Sequence, residues 1–138
     1  MFSDPIELSE GEAVNQILLY LASAMTGLWG VAHLFATRGV VKGFGDLSPD
    51  NRQIITMEWI IEGVALISTA AFVAAATAFQ PEAPVSGAVY MVAICTLVIL
   101  AVVSMFTGFK IKFLPFRLCP FIFGFSAVLI AWGAWLSS

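Results

Sequence analysis

A chain of 138 residues that is 60% hydrophobic and 11% charged, with a mean hydropathy of +0.97, is too apolar for a water-soluble domain. Soluble domains are closer to half apolar and a quarter charged. The net charge of −3 hides a segregation, because Asp4, Glu7, Glu10 and Glu12 fall in a leading segment that holds no Lys or Arg. Such a segment lacks the basic region of a secretory signal and is expected to be mature sequence. Length and composition together exclude a separate soluble catalytic domain and leave a single integral-membrane domain, residues 1–138.

Four apolar runs, at about 14–36, 54–79, 88–109 and 120–136, are each long enough to cross a hydrocarbon core of about 30 Å as a helix. The runs are continuous rather than alternating, which favours helices over a β-barrel. Short connectors then predict an all-α, transmembrane, antiparallel four-helix bundle. In the first helix, Ser9 and Glu12 fit a capping box that starts the helix before the membrane. The second helix is expected to start near Pro49, with Ser48 as its cap and Asp50 in its first turn. Pro81 and Pro84 break the chain after it, and Pro115 and Pro120 bracket the start of the fourth helix. Gly27, Gly30, the alanine runs around Ala70 and Ala75, Gly124 and Gly133 are expected to let helix backbones approach closely. Cys95 and Cys119 read as buried small hydrophobes.

The six basic residues divide by loop. Arg38, Lys42 and Arg52 fall in the first, and Lys110, Lys112 and Arg117 in the third. The positive-inside bias places those loops in the cytoplasm and both termini on the periplasmic side of a bacterial inner membrane. Tyr20, Tyr90, Trp132 and Trp135 then belong to the opposite interface, where aromatic rings settle. The six cations are expected to touch anionic lipid. The glycines of the first loop, Gly39, Gly43 and Gly45, could also gather backbone N–H groups around an anion beside a helix N-terminus.

Glu58 and Glu62 carry the most information. They stand four apart on the second span, where an ionised carboxylate costs roughly 2.5–3.5 kcal/mol and almost always faces a bundle interior or a watery cavity. Thr69 continues their face, while Thr26, Gly30, His33 and Thr37 form a stripe on the first helix. Thr96, Ser104 and Thr107 are placed to add hydroxyls from the third. The only histidine is thus expected within reach of a buried carboxylate, at the depth of Glu58, with Trp29 and Trp59 as walls and a shared proton between the polar groups. Three readings of this group stay open. It is a polar staple between helices, a pocket for an amphiphile, or a contact with a partner subunit. No metal site is expected from one imidazole and two carboxylates.

His33, Glu58, Trp59 and Glu62, with the segment Gly43-Phe44-Gly45-Asp46-Leu47-Ser48-Pro49-Asp50-Asn51-Arg52 leading to Met57-Glu58-Trp59, resemble the DoxX-like small four-helix bacterial membrane proteins. At greater distance the chain is similar to the EXPERA group, from whose pattern it departs by lacking Asn or Asp on the third and fourth helices. The first resemblance implies association with respiratory or sulfur-redox membrane complexes, and the second a flat apolar ligand beside buried acids. The leading expectation is therefore a pocket of His33, Glu58, Glu62, Trp29, Trp59, Thr26 and Thr69 for a lipid, quinone or isoprenoid. A non-catalytic accessory subunit of a larger complex is the alternative. Expected partners are membrane lipids and a larger assembly or a second copy, and not nucleic acid. A bound lipid or quinone is the only cofactor in view, and no reaction is assigned.

Overall fold

The computed structural model describes the backbone of residues 10–136 and the side chains of residues 16–135. Within that range the chain forms α1 (Glu10–Gly43), α2 (Pro49–Phe79), α3 (Pro84–Gly108) and α4 (Leu114–Ala131), the last running on into a π-helical turn, Trp132–Leu136. All four helices are long and apolar enough to cross a membrane. They pack as one all-α bundle, and no strand occurs among the described residues. The protein is a small integral membrane protein. Ser9, Asp4 and Glu7 and the side chain of Glu12 lie outside the described residues, and with them the expected Ser9–Glu12 cap.

The buried positions of α2 are Gly63, Leu66, Ala70, Val73 and Thr77, and those of α4 include Cys119, Phe123, Ser126 and Ile130. Steps of three and four alternate along both, the narrow seam of coiled-coil-like packing. Around these seams large apolar side chains such as Leu28, Phe35, Phe72, Phe106 and Phe121 stand exposed, as lipid-facing residues do.

The tightest seam joins α1 to α2. A Cβ on Gly30 would lie 2.7 Å from the Gly63 carbonyl oxygen, and one on Gly63 would lie 2.9 Å from that of Gly30. Neither position accepts a side chain unless the backbones part. Gly27 supports the same seam against Ala70, whereas Gly124 meets nothing and does not serve the close packing expected of it.

Helix ends differ from the sequence expectation in three places. First, α1 continues through Arg38, Gly39 and Lys42 because Val40 and Val41 are buried there, and this burial outweighs a glycine cost of about 1 kcal/mol. Only Gly45, with φ of 77°, sits in a true turn, so the imagined glycine-rich anion nest does not form. Second, α3 begins a turn early, with Pro84 in its first turn, where a missing N–H costs nothing. Third, α4 starts at Leu114 and carries Pro120 inside it. That proline leaves the Phe116 carbonyl without its helical donor, and the freed oxygen packs on Gly108, where a Cβ would come within 2.5 Å of it. The Ser48 cap is as expected, its hydroxyl accepting from the Asn51 N–H at 3.2 Å.

At the end of the bundle away from the basic residues, the Thr77 and Tyr90 hydroxyls bond at 3.2 Å, and the Ser86 hydroxyl donates to the Gln80 carbonyl at 2.6 Å. Tyr90 is therefore a core residue, 2% exposed, and not the interface anchor expected from its position. Cys119 is buried, but Cys95 faces outward, contrary to expectation, and both are free thiols.

These contacts set a test of packing. Gly63→Val should destabilise the bundle by about 1–3 kcal/mol through overpacking, and Gly124→Ala should leave it within about 0.5 kcal/mol. Unfolding of both variants in mild detergent, followed by circular dichroism, checks the contrast; equal losses would remove the glycine seam from the account.

Candidate functional site

The α1–α2 seam builds the site. His33 stands three residues beyond Gly30 and is 4% exposed. Trp59, one turn before Gly63, lays its ring over the imidazole with centroids 4.8 Å apart and planes 28° from parallel. Its indole N–H donates to the His33 carbonyl at 2.8 Å, and the Thr37 hydroxyl donates to the same oxygen at 2.8 Å. Trp29 meets the imidazole edge-on at 5.7 Å.

The imidazole has one nitrogen on each side of a proton question. Nδ1 lies 2.9 Å from the Trp29 carbonyl oxygen, which can only accept, so Nδ1 carries a hydrogen. Nε2 faces Glu62 Oε1 at 3.6 Å, an ion-pair separation slightly longer than a hydrogen bond. Nε2 is thus the nitrogen turned to the acid.

The partner is Glu62 and not Glu58, which corrects the depth argument from sequence. Successive helical residues rotate by about 100°. With Gly63 turned to α1, Glu62 therefore stands about 100° aside and Glu58 about 140° away. Glu58 and Asn51 are exposed, Glu62 and Thr69 half-buried, so the acidic face points toward the α2–α3 side and not into the bundle axis.

The α2–α3 seam is the sparsest of the sequential ones, and it opens. A cleft of about 740 Å³ is lined by Phe44, Ile54, Glu58, Trp59, Ile61, Glu62, Ala65, Thr69, Thr96, Leu100 and Phe116, among others. A second hollow of about 350 Å³ continues it past Thr69 and Thr96 to Phe72 and Val85. Behind Trp59, Glu62, Leu100 and Phe116 lies a smaller chamber of about 240 Å³, reached also by His33, Ser104, Thr107 and Cys119. Glu62 thus borders both the outer cleft and the inner chamber.

Not every expected residue is there. Thr26 and Trp29 line none of these spaces; Thr26 is 2% exposed in the α1 core, and Trp29 meets the site through His33 and Cys119. Conversely, Leu100 and Phe116 join the site with no sequence expectation, and Cys119, expected only as a buried small hydrophobe, lines the chamber. Phe116 meets Trp59 edge-on at 5.2 Å and forms the wall between cleft and chamber. Its place follows from the unexpected early start of α4. None of the six basic residues lines the cleft or the chamber, although all six gather at the adjoining end of the bundle. Arg117 is partly committed there, its Nε donating to the Ile111 carbonyl at 3.1 Å. Among the described residues no three His, Cys, Asp or Glu side chains converge to hold a metal ion.

The chain matches no family model, no curated protein and no solved structure. Fold and site define it as a four-helix membrane protein with a lateral cleft and a paired histidine and glutamate at its wall.

Two measurements probe this geometry. The single histidine should show a hydrogen-bearing Nδ1 in ¹⁵N spectra of the folded protein, and a bare Nδ1 would mean the ring is turned over. Trp59→Phe keeps a ring on His33 but drops the N–H, and should cost about 1 kcal/mol of stability. Trp59→Leu, which also loses the stack, should cost roughly 0.5–1.5 kcal/mol more in the same unfolding assay.

Proposed function

We propose that this protein binds a hydrophobic or amphiphilic molecule, of the lipid, quinone or isoprenoid class, in the α2–α3 cleft. Glu58 and Glu62 form its polar wall, and His33 backs Glu62. The observation that carries the reading is the cleft itself. Its volume of about 740 Å³ falls within the range of roughly 300–1,000 Å³ usual for small-molecule sites, and its walls are mainly apolar with a few convergent polar groups. A carboxylate at membrane depth is costly unless it serves a cavity or partner, and Glu62 has both. The DoxX-like resemblance rests on these same residues.

In this reading the protein sits in a bacterial inner membrane, with the basic end in the cytoplasm and both termini periplasmic, as the distribution of Lys and Arg supports. Arg38, Lys42, Arg52, Lys110, Lys112 and Arg117 then ring the cytoplasmic rim, where they meet anionic headgroups. The ligand enters sideways from the bilayer, since the cleft opens on the flank of the bundle.

Filling the cleft tests the proposal. Thr96→Trp places a large side chain between Thr69 and Leu100 without touching the α1–α2 seam. The variant should keep its helical content and lose at least ten-fold in retention of co-purifying apolar molecules, read by mass spectrometry of the protein extracted in mild detergent. Unchanged retention would move the ligand elsewhere. Retention of protein subunits in place of small molecules would favour the accessory-subunit reading.

A further inference from the structure

The polar groups lining the outer cleft share one property. Thr69 donates its hydroxyl hydrogen to the Ala65 carbonyl at 2.9 Å, and Thr96 donates its own to Val92 at 2.9 Å. The Trp59 N–H is committed to the His33 carbonyl. What these threonines turn to the cleft is therefore oxygen lone pairs, and the remaining polar side chains of the lining are the carboxylates of Glu58 and Glu62. No Lys or Arg lines it. Behind it, buried His33 aims Nε2 at Glu62 and has its other nitrogen bound to Trp29. The lining accepts hydrogen bonds and offers almost none.

We infer that the cleft selects an amphiphile whose head donates hydrogen bonds and carries no negative charge, an alcohol or amine rather than a phosphate. This deepens the proposed binding function and rests on it. An acceptor-only wall leaves a phosphate or carbonyl head without a donor, and the two carboxylates repel an anion directly. A hydroxyl head instead meets Glu58 or Glu62 while its tail follows the apolar channel past Thr69 and Thr96. From Glu62 to Phe72 the channel runs roughly 15 Å along α2, enough for a medium-length chain. The same logic ranks a quinol, which has hydroxyl donors, above the corresponding quinone, which has only acceptors. Phosphorylated lipids are left to the basic rim, where the cations are.

Farnesol and farnesyl phosphate make the test, because they share a tail and differ in the head. Each is titrated into the full-length protein in maltoside micelles, and bound protein is counted by native mass spectrometry. Farnesol should bind at least ten-fold more tightly. Replacing an acceptor by a group that also donates, in Glu62→Gln, should bring the two within about three-fold of each other. Glu58→Gln, at an exposed position, provides the same comparison if the Glu62 variant does not fold. Equal or tighter binding of farnesyl phosphate by the unaltered protein overturns the head-group inference while the cleft reading stands. A preference for farnesol that survives both substitutions also overturns it. Binding of neither probe, or farnesol binding unaffected by Thr96→Trp, removes the cleft reading and the inference together.

Discussion

The close approach of Gly30 and Gly63 is the contact on which the remainder of this bundle depends. Without a Cβ on either side, two helix backbones come within reach of each other's carbonyls, and dispersion and weak Cα–H···O contacts replace interdigitated side chains. In a membrane this matters more than in water, because lipid offers apolar side chains as good a solvent as the protein interior does. The contact also fixes the rotation of α2. Once Gly63 faces α1, Trp59 must lie over His33, Glu62 must flank it, and Glu58 must face outward. The chemistry of the site is set by one backbone phase.

The cleft follows from how tightness is distributed. The α1–α2 and α3–α4 pairs are the closest, the second closed at its loop where the Phe116 carbonyl packs on Gly108. The two pairs are clamped together at the far end by Thr77 and Tyr90. Nearer the basic end, the seam between α2 and α3 has no facing glycines, and beside it Trp59 of α2 meets Phe116 of α4 edge to face. Two bulky rings there hold the pairs apart, and the space above them is the cleft.

The number of spans, the Ser48–Pro49 helix start and the Thr26–His33–Thr37 stripe were all legible from the sequence, because hydropathy, caps and helical periodicity are local signals. The ends of α1 and α4 were not. Gly39 and Gly43 look like loop residues, and Pro120 looks like a boundary, unless burial of Val40 and the freed Phe116 carbonyl are already known. The choice between Glu58 and Glu62 needed the phase of α2. That phase could have been read from Gly63, Leu66, Ala70 and Val73, whose alternating spacing marks the buried seam and leaves Glu58 off it. Tyr90 was misplaced because an aromatic near a helix end serves equally well as an anchor or, with a hydroxyl partner on the next helix, as core. Phe116 had no sequence signal at all.

The acceptor character of the cleft is itself a consequence of folding in lipid. A hydroxyl inside a membrane helix gains by pairing its hydrogen, and the nearest acceptor is the carbonyl one turn back. Thr37, Thr56, Thr69, Thr77, Thr96 and Thr107 all take that route. Trp59 and His33 likewise spend their N–H groups on backbone carbonyls of α1. The unpartnered hydroxyls of Thr26 and Ser126 are buried and line neither the cleft nor the chamber, and the Ser104 hydroxyl lines the inner chamber but not the cleft. Helix stability thus consumes the donors and leaves lone pairs on the walls, so that even before Glu58 and Glu62 are counted, the cavity asks its occupant to bring the hydrogen.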